Sequence, residues 1–240
     1  MKLLSTGNPK ILKGMSQGYM TYILHLAPAS LSGYNTCPKA TEGCKAACLN
    51  TAGRGGMFKK GENTNVIQQA RIRKTKMFFE DRIGFMLDLV KDIELGLKQA
   101  AKKNMIPVFR LNGTSDLAWE KYQVVRNGKL FRNIFAAFPD VQFYDYTKVP
   151  KRVELLEKYN NYDLTFSYSG YNSVDCVSML NNGVRVAVVF KKVPDMFWGR
   201  KVIDGDAYDM RYYDEKDVIV GLKYKRVRNK LEKEYKFVIQ

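Results

Sequence analysis

The amino-acid sequence predicts an α/β fold, a small or incomplete (β/α) barrel of mostly parallel strands, and three observations carry that expectation. Apolar, β-rich segments alternate with helical stretches along the chain, the pattern that builds parallel sheets. Polar residues gather where the strand candidates end, the edge at which such folds place ligands. Six or seven strands fit either an open doubly wound sheet or a barrel short of the usual eight, and the lack of a glycine fingerprint after the first strand argues against the usual dinucleotide fold.

The elements follow in order. Residues 20–26 (MTYILHL) read as the first strand, with His25, the only histidine, at its end. Residues 64–82 and 84–103 carry helical periodicity; Phe85, Leu89, Ile93 and Leu97 form an i, i+4 stripe. Further strands are expected at 107–111, 141–146, 164–168, 184–190 and 218–222, with a short one at 202–203 before the turn Asp204-Gly205-Asp206. Helices are expected at 117–127, 150–159 and 173–182, with Asp116 capping the first. Pro and Gly are not concentrated into a linker, so residues 1–240 read as a single domain.

Forty Lys and Arg against 24 Asp and Glu give a formal charge of +16, which raises the expectation of a nucleic-acid or other polyanionic partner. The densest basic runs are RIRKTK at 71–76 and KYKRVR at 223–228. A solvated surface is the plainer account of both. Phe78 and Phe79, on the same helix as Arg71, Arg73 and Lys74, suit the core better than a base-stacking platform. No apolar run approaches the ~20 residues of a membrane span, and the opening MKLLSTGNPKILKG lacks the apolar core of a signal peptide. A soluble, cytoplasmic protein without a membrane partner is the expectation.

Three of the four cysteines fall within twelve residues, spaced Cys37-x6-Cys44-x3-Cys48. In a chain without an export signal such grouping points to a soft metal. Lys39 and Lys45 lie beside them and favour thiolate. A helical turn through Lys45-Ala46-Ala47 would set Cys44 and Cys48 on one face, Cβ atoms about 5–6 Å apart. One tetrahedral zinc wants sulfurs about 3.8 Å apart, so the spacing suits an iron–sulfur cluster, 4Fe-4S or 3Fe-4S, better than a single ion. Cys176 is the candidate fourth ligand, although Val177 and Leu180 beside it suggest a buried structural thiol. His25, Asn112, Lys148 and Ser169 are expected to face the cofactor pocket. Asp204, Asp206, Asp209 and Asp214 lack the full oxygen set of a calcium loop; turn chemistry explains Asp-Gly-Asp, and Arg211 can pair with these carboxylates.

The run 22–28 (YILHLAP), the cysteine loop with 51–54 (TAGR), and 202–206 (VIDGD) with Asp209 and Arg211 resemble the tailed-phage gene product eighty-eight family over most of the chain. That resemblance implies a viral protein working in a bacterial cytoplasm. A weaker similarity runs to radical S-adenosylmethionine enzymes, which are full or partial α/β barrels with three cluster cysteines after the first strand. Their spacing is Cys-x3-Cys-x2-Cys, and this chain departs from it. It also lacks a Gly-Gly-Glu-like stretch; Gly53-Arg54-Gly55-Gly56 comes early and reads as a loop packed around the cluster. Together these readings predict a cluster protein of redox or radical chemistry, with S-adenosylmethionine as a candidate second cofactor. The alternative is a basic nucleic-acid-binding protein whose metal only pins the N-terminal loop.

Overall fold

The computed structural model describes residues 1–7, 9–225 and 236–240. In chain order the elements are β1 (Leu4–Ser5), α1 (Pro9–Met15), β2 (Tyr19–Leu24), α2 (Glu42–Ala46), α3 (Val66–Glu80), α4 (Arg82–Lys102), β3 (Ile106–Arg110), β4 (Val124–Arg126), β5 (Lys129–Phe131), α5 (Ile134–Ala137), β6 (Gln142–Thr147), α6 (Leu155–Lys158), β7 (Tyr162–Ser167), α7 (Ser173–Asn181), β8 (Val186–Phe190), β9 (Met196–Phe197), β10 (Arg200–Asp204), β11 (Ile219–Lys223) and β12 (Val238–Ile239).

Among the described residues ten strands form one mixed, mostly parallel sheet, ordered β1-β2-β3-β6-β7-β8-β11-β10-β9 with β12 also on β8. Strands β2, β3, β6, β7 and β8 are parallel neighbours in sequence order. Among these five strands each new strand adds on the same side of the one before, so no switch point arises within them. The ladder runs from β1 to β9 and no described pairing joins those edges, so the sheet is open. The α/β, mostly parallel part of the sequence expectation is what the chain forms.

Strand periodicity explains the two faces. Tyr22, Phe109, Phe143 and Leu164 share a core with Phe78 of α3 and Phe85, Leu89 and Ile93 of α4. Phe166, Val186, Val188 and Ile219 share a second with Cys176 and Leu180 of α7. The alternate positions carry Ile23, Arg110, Tyr144, Tyr146, Asp163 and Ser167, with Arg185 just before β8, an unusually polar set for a sheet face. The lower half of that polar face is closed by residues 207–214, described below; the upper half stays open.

One expected helix is absent. Residues 117–127 fold instead as a single 3-10 turn at Trp119–Lys121 and the first strand of the β4–β5 hairpin. Asp116 does not cap a helix: its carboxylate takes the Arg152 guanidinium at 2.8 Å and the Lys148 N–H at 2.8 Å. Val124, Val125 and Phe131 read as well for strand as for helix, and Asn127-Gly128, both at positive φ, make the hairpin turn. The segment at 150–159 is likewise divided, a 3-10 helix at Pro150–Glu154 followed by α6.

Candidate metal centre and its cavity

The cysteine loop leaves β2 and is held by backbone and hydroxyl contacts. Thr36 donates its hydroxyl to the Ala27 carbonyl at 2.7 Å, Thr114 donates to Leu26 at 2.6 Å, and the Asp116 N–H donates to the Thr36 carbonyl at 2.8 Å. Thr41 caps α2: its hydroxyl accepts from the Cys44 N–H and donates to the Ser169 carbonyl at 2.6 Å. The helix ends at Ala46, and Cys48 follows in extended backbone, so Cys44 and Cys48 do not share the expected continuous helical turn. Beyond Cys48 the chain is clamped by α3. Asn65 and Gln68 donate to the Gly55 carbonyl, and Arg71 Nη1 donates to Asn50 Oδ1 at 2.6 Å.

All three thiols are half-buried and line one cavity of about 650 Å³. His25, Asn112 and Lys148 line it too, whereas Ser169 does not; it serves the site through the carbonyl that holds Thr41. Cys176, on α7, is fully buried in the core and is no part of the cavity lining. Asn112 is mainly a loop organiser: its Oδ1 accepts from Ser115, the Leu117 N–H and Trp119 Nε1, and its own N–H donates to Asp145 at 2.7 Å.

Electrostatics separates the thiols from ordinary reactive cysteines. Burial raises Cys37, against the Ala29 N–H and Thr36 hydroxyl that favour its thiolate. Burial pushes Cys48 up to about 11, with the Asn50 N–H opposing and the other two sulfurs adding repulsion. Such thiols stay protonated at neutral pH and are poor nucleophiles; a bound metal would deprotonate them. Burial pulls Lys148 down, but the Cys44 thiolate, the Asp116 carboxylate and the thiolates of Cys37 and Cys48 outweigh it and leave its pKa raised. Lys148 therefore supplies the positive charge the sulfurs would meet once they are deprotonated. Lys45, which looked the part in sequence, is exposed and paired to Glu42 at 2.7 Å. Among the described residues no three His, Cys, Asp or Glu side chains are gathered as a cage for one metal ion.

His25 is held down to about 3 by burial and by Arg71, Arg110 and Lys74, with Asp209 opposing. Arg110, Tyr146, Arg71 and Asp209 all line the cavity and were not singled out for it in the sequence. A signal existed for Arg110: a lone cation inside the apolar strand 107–111. The basic run 71–76 is not one outward patch. Arg71 clamps Asn50, and Lys74 donates to the Leu3 carbonyl at 2.6 Å. The second run, 223–228, lies outside the described residues beyond Lys225.

A one-layer sequence of parallel strands with a thiol-lined cavity at the strand ends defines an α/β protein with a candidate soft-metal centre. The chain matches the family described as Gene product 88 over residues 2–239 and belongs to that family. Comparison with curated proteins and with solved structures finds no match, so the likeness to radical S-adenosylmethionine enzymes has no support there. No helix among the described residues is long and apolar enough to cross a membrane.

Proposed function

We propose that the protein holds an iron–sulfur cluster through Cys37, Cys44 and Cys48, at the strand-end edge of a partial α/β barrel, and uses it in redox chemistry. The observation that carries this reading is the convergence of all three thiols of one loop on a single cavity, with Lys148 opposite them and Cys176 elsewhere in the core. The donor set fits the group. Three thiols on the wall of one cavity are the soft donor type that iron–sulfur clusters take. The Ala29 N–H lies 3.4 Å from Cys37 Sγ, and the Asn50 N–H faces Cys48; bonds of this kind tune a cluster's potential. Bound there, the cluster would supply electron transfer and one iron without a protein ligand. The consecutive parallel strand order supports the partial-barrel reading. Family membership supports a phage protein at work in a host cytoplasm.

S-adenosylmethionine is not part of this proposal: a cavity rich in Lys and Arg is a poor home for a sulfonium. The test is anaerobic purification with iron and acid-labile sulfide analysis and electron paramagnetic resonance. Brown protein whose visible absorbance bleaches reversibly on reduction supports the proposal. Colourless protein with one zinc and no sulfide refutes it.

A further inference from the structure

The wall of the cavity away from the cysteines carries more positive charge than the protein uses. Lys148 answers the sulfurs, and Asp116 is taken by Arg152. Arg71 is spent holding Asn50 beside Cys48, while Lys13, Arg110, Lys223 and Lys225 remain in the lining, against Asp206 and Asp209. Asp206 receives Lys225 at 3.0 Å, and Asp209 lies 4.0 Å from Arg110 while accepting from the Tyr144 hydroxyl. Two guanidinium nitrogens, Nε of Arg71 and Nε of Arg110, are buried with no hydrogen-bond partner. The Nε atoms of Arg185 and Arg211 are equally unpartnered but away from the cavity, so what lets a ligand reach Arg71 and Arg110 is their place in its lining. Arg110 is held in place for this by the Tyr146 ring, 4.7 Å from its guanidinium carbon.

The lining also carries aromatic and aliphatic side chains, Tyr168, Tyr224 and Phe237 among them. Rings of this kind accept a planar group, and arginine forks suit phosphate oxygens. The volume of about 650 Å³ falls in the range that encloses a small molecule. We infer that the cavity binds a phosphorylated ligand of nucleotide size. Its phosphate meets Arg110 and the lysines at the end of β11, and its planar part lies on the aromatic wall. The inference rests on cavity charge and shape and does not depend on the cluster.

The test is calorimetry on the full chain as purified, with iron measured in parallel, using adenosine monophosphate, adenosine and inorganic phosphate. Adenosine monophosphate should bind with a dissociation constant on the order of 10 μM, adenosine at least about tenfold more weakly, and phosphate more weakly still. Arg110→Gln should weaken the nucleotide about tenfold. Because Arg110 also packs on Tyr146, the exposed pair Lys223→Ala/Lys225→Ala provides the variant whose folding is not in question; it should cost about tenfold as well. Nucleotide binding by protein without iron supports the inference and separates it from the cluster reading. Equal affinity for adenosine and its monophosphate overturns it. So does an unchanged affinity in the double lysine variant, or binding of a single-stranded oligonucleotide without any binding of the mononucleotide.

Discussion

The two halves of the sheet's polar face use the same residue types to opposite ends. In the lower half Arg211, fully buried, lies 3.2 Å from Asp214, whose other oxygen takes the Tyr208 hydroxyl. Arg185 pairs with Asp163 and donates to the Asp214 carbonyl at 3.1 Å. Cations and carboxylates are matched, and the segment 207–214 is sealed onto β7 and β8. In the upper half the lining holds more cations than carboxylates, and its thiols face a cavity. Matched charge seals a surface; surplus charge beside a cavity marks a surface waiting for a ligand.

The sharpest break between the halves comes from the cysteines. Changing Cys37, Cys44 or Cys48 to Ala should each remove nearly all iron and sulfide, because each thiolate would be one of few bonds to the proposed cluster. Cys176→Ala should retain both and lose about 1 kcal/mol of core packing. If Cys176→Ala strips iron as fully as Cys44→Ala, the three-ligand assignment is wrong.

In the sealed half, Asp214→Ala leaves the buried Arg211 guanidinium unpaired and should cost about 3–5 kcal/mol in urea unfolding. The double variant Lys223→Ala/Lys225→Ala in the open half should leave the unfolding midpoint almost where it was. Similar midpoints for the two variants would erase the distinction.

Gly170→Ala ranks next. Gly170 sits at φ +101°, and a methyl there would lie 3.1 Å from the Phe237 backbone nitrogen. The strain alone is about 1–3 kcal/mol. Phe237 and Val238 pack with Ala47 and Cys44, so iron retention should fall together with stability. A variant of wild-type stability would show that the C-terminal strand does not brace the cysteine loop.

The smallest effect concerns acid. His25 titrates near 6.5 when unfolded and about 3 when folded, so the unfolded state binds the extra proton between those values. Its share of stability is complete above pH 6.5 and is lost as pH falls towards 3, by up to about 1.4 kcal/mol per unit. His25→Gln should flatten that slope. Asp145, pushed up to about 7 chiefly by burial, acts in the opposite sense in both proteins and cancels in the difference. Parallel stability-against-pH curves for the two proteins would show that His25 is free to protonate.

How much of this was legible beforehand differs by element. The strand at 107–111, the two long helices and the strand at 184–190 were readable because apolar period and length are local properties. The hairpin β4–β5 was not, since Val124 and Val125 fit either period and only docking under α4 decides. The grouping of Cys37, Cys44 and Cys48 was also written in the sequence: three soft ligands in one loop are close whatever the fold. The sequence alone therefore determined the α/β class with mostly parallel strands, the strand ends as the cavity's edge and the loop that carries the thiols. Tertiary structure decided that Lys148, rather than Lys45, faces the sulfurs, that Cys176 is packed away, and that Arg110 and Arg71 meet at the cavity. Those are contacts between residues tens of positions apart, and their energy depends on burial and distance, which no local pattern records.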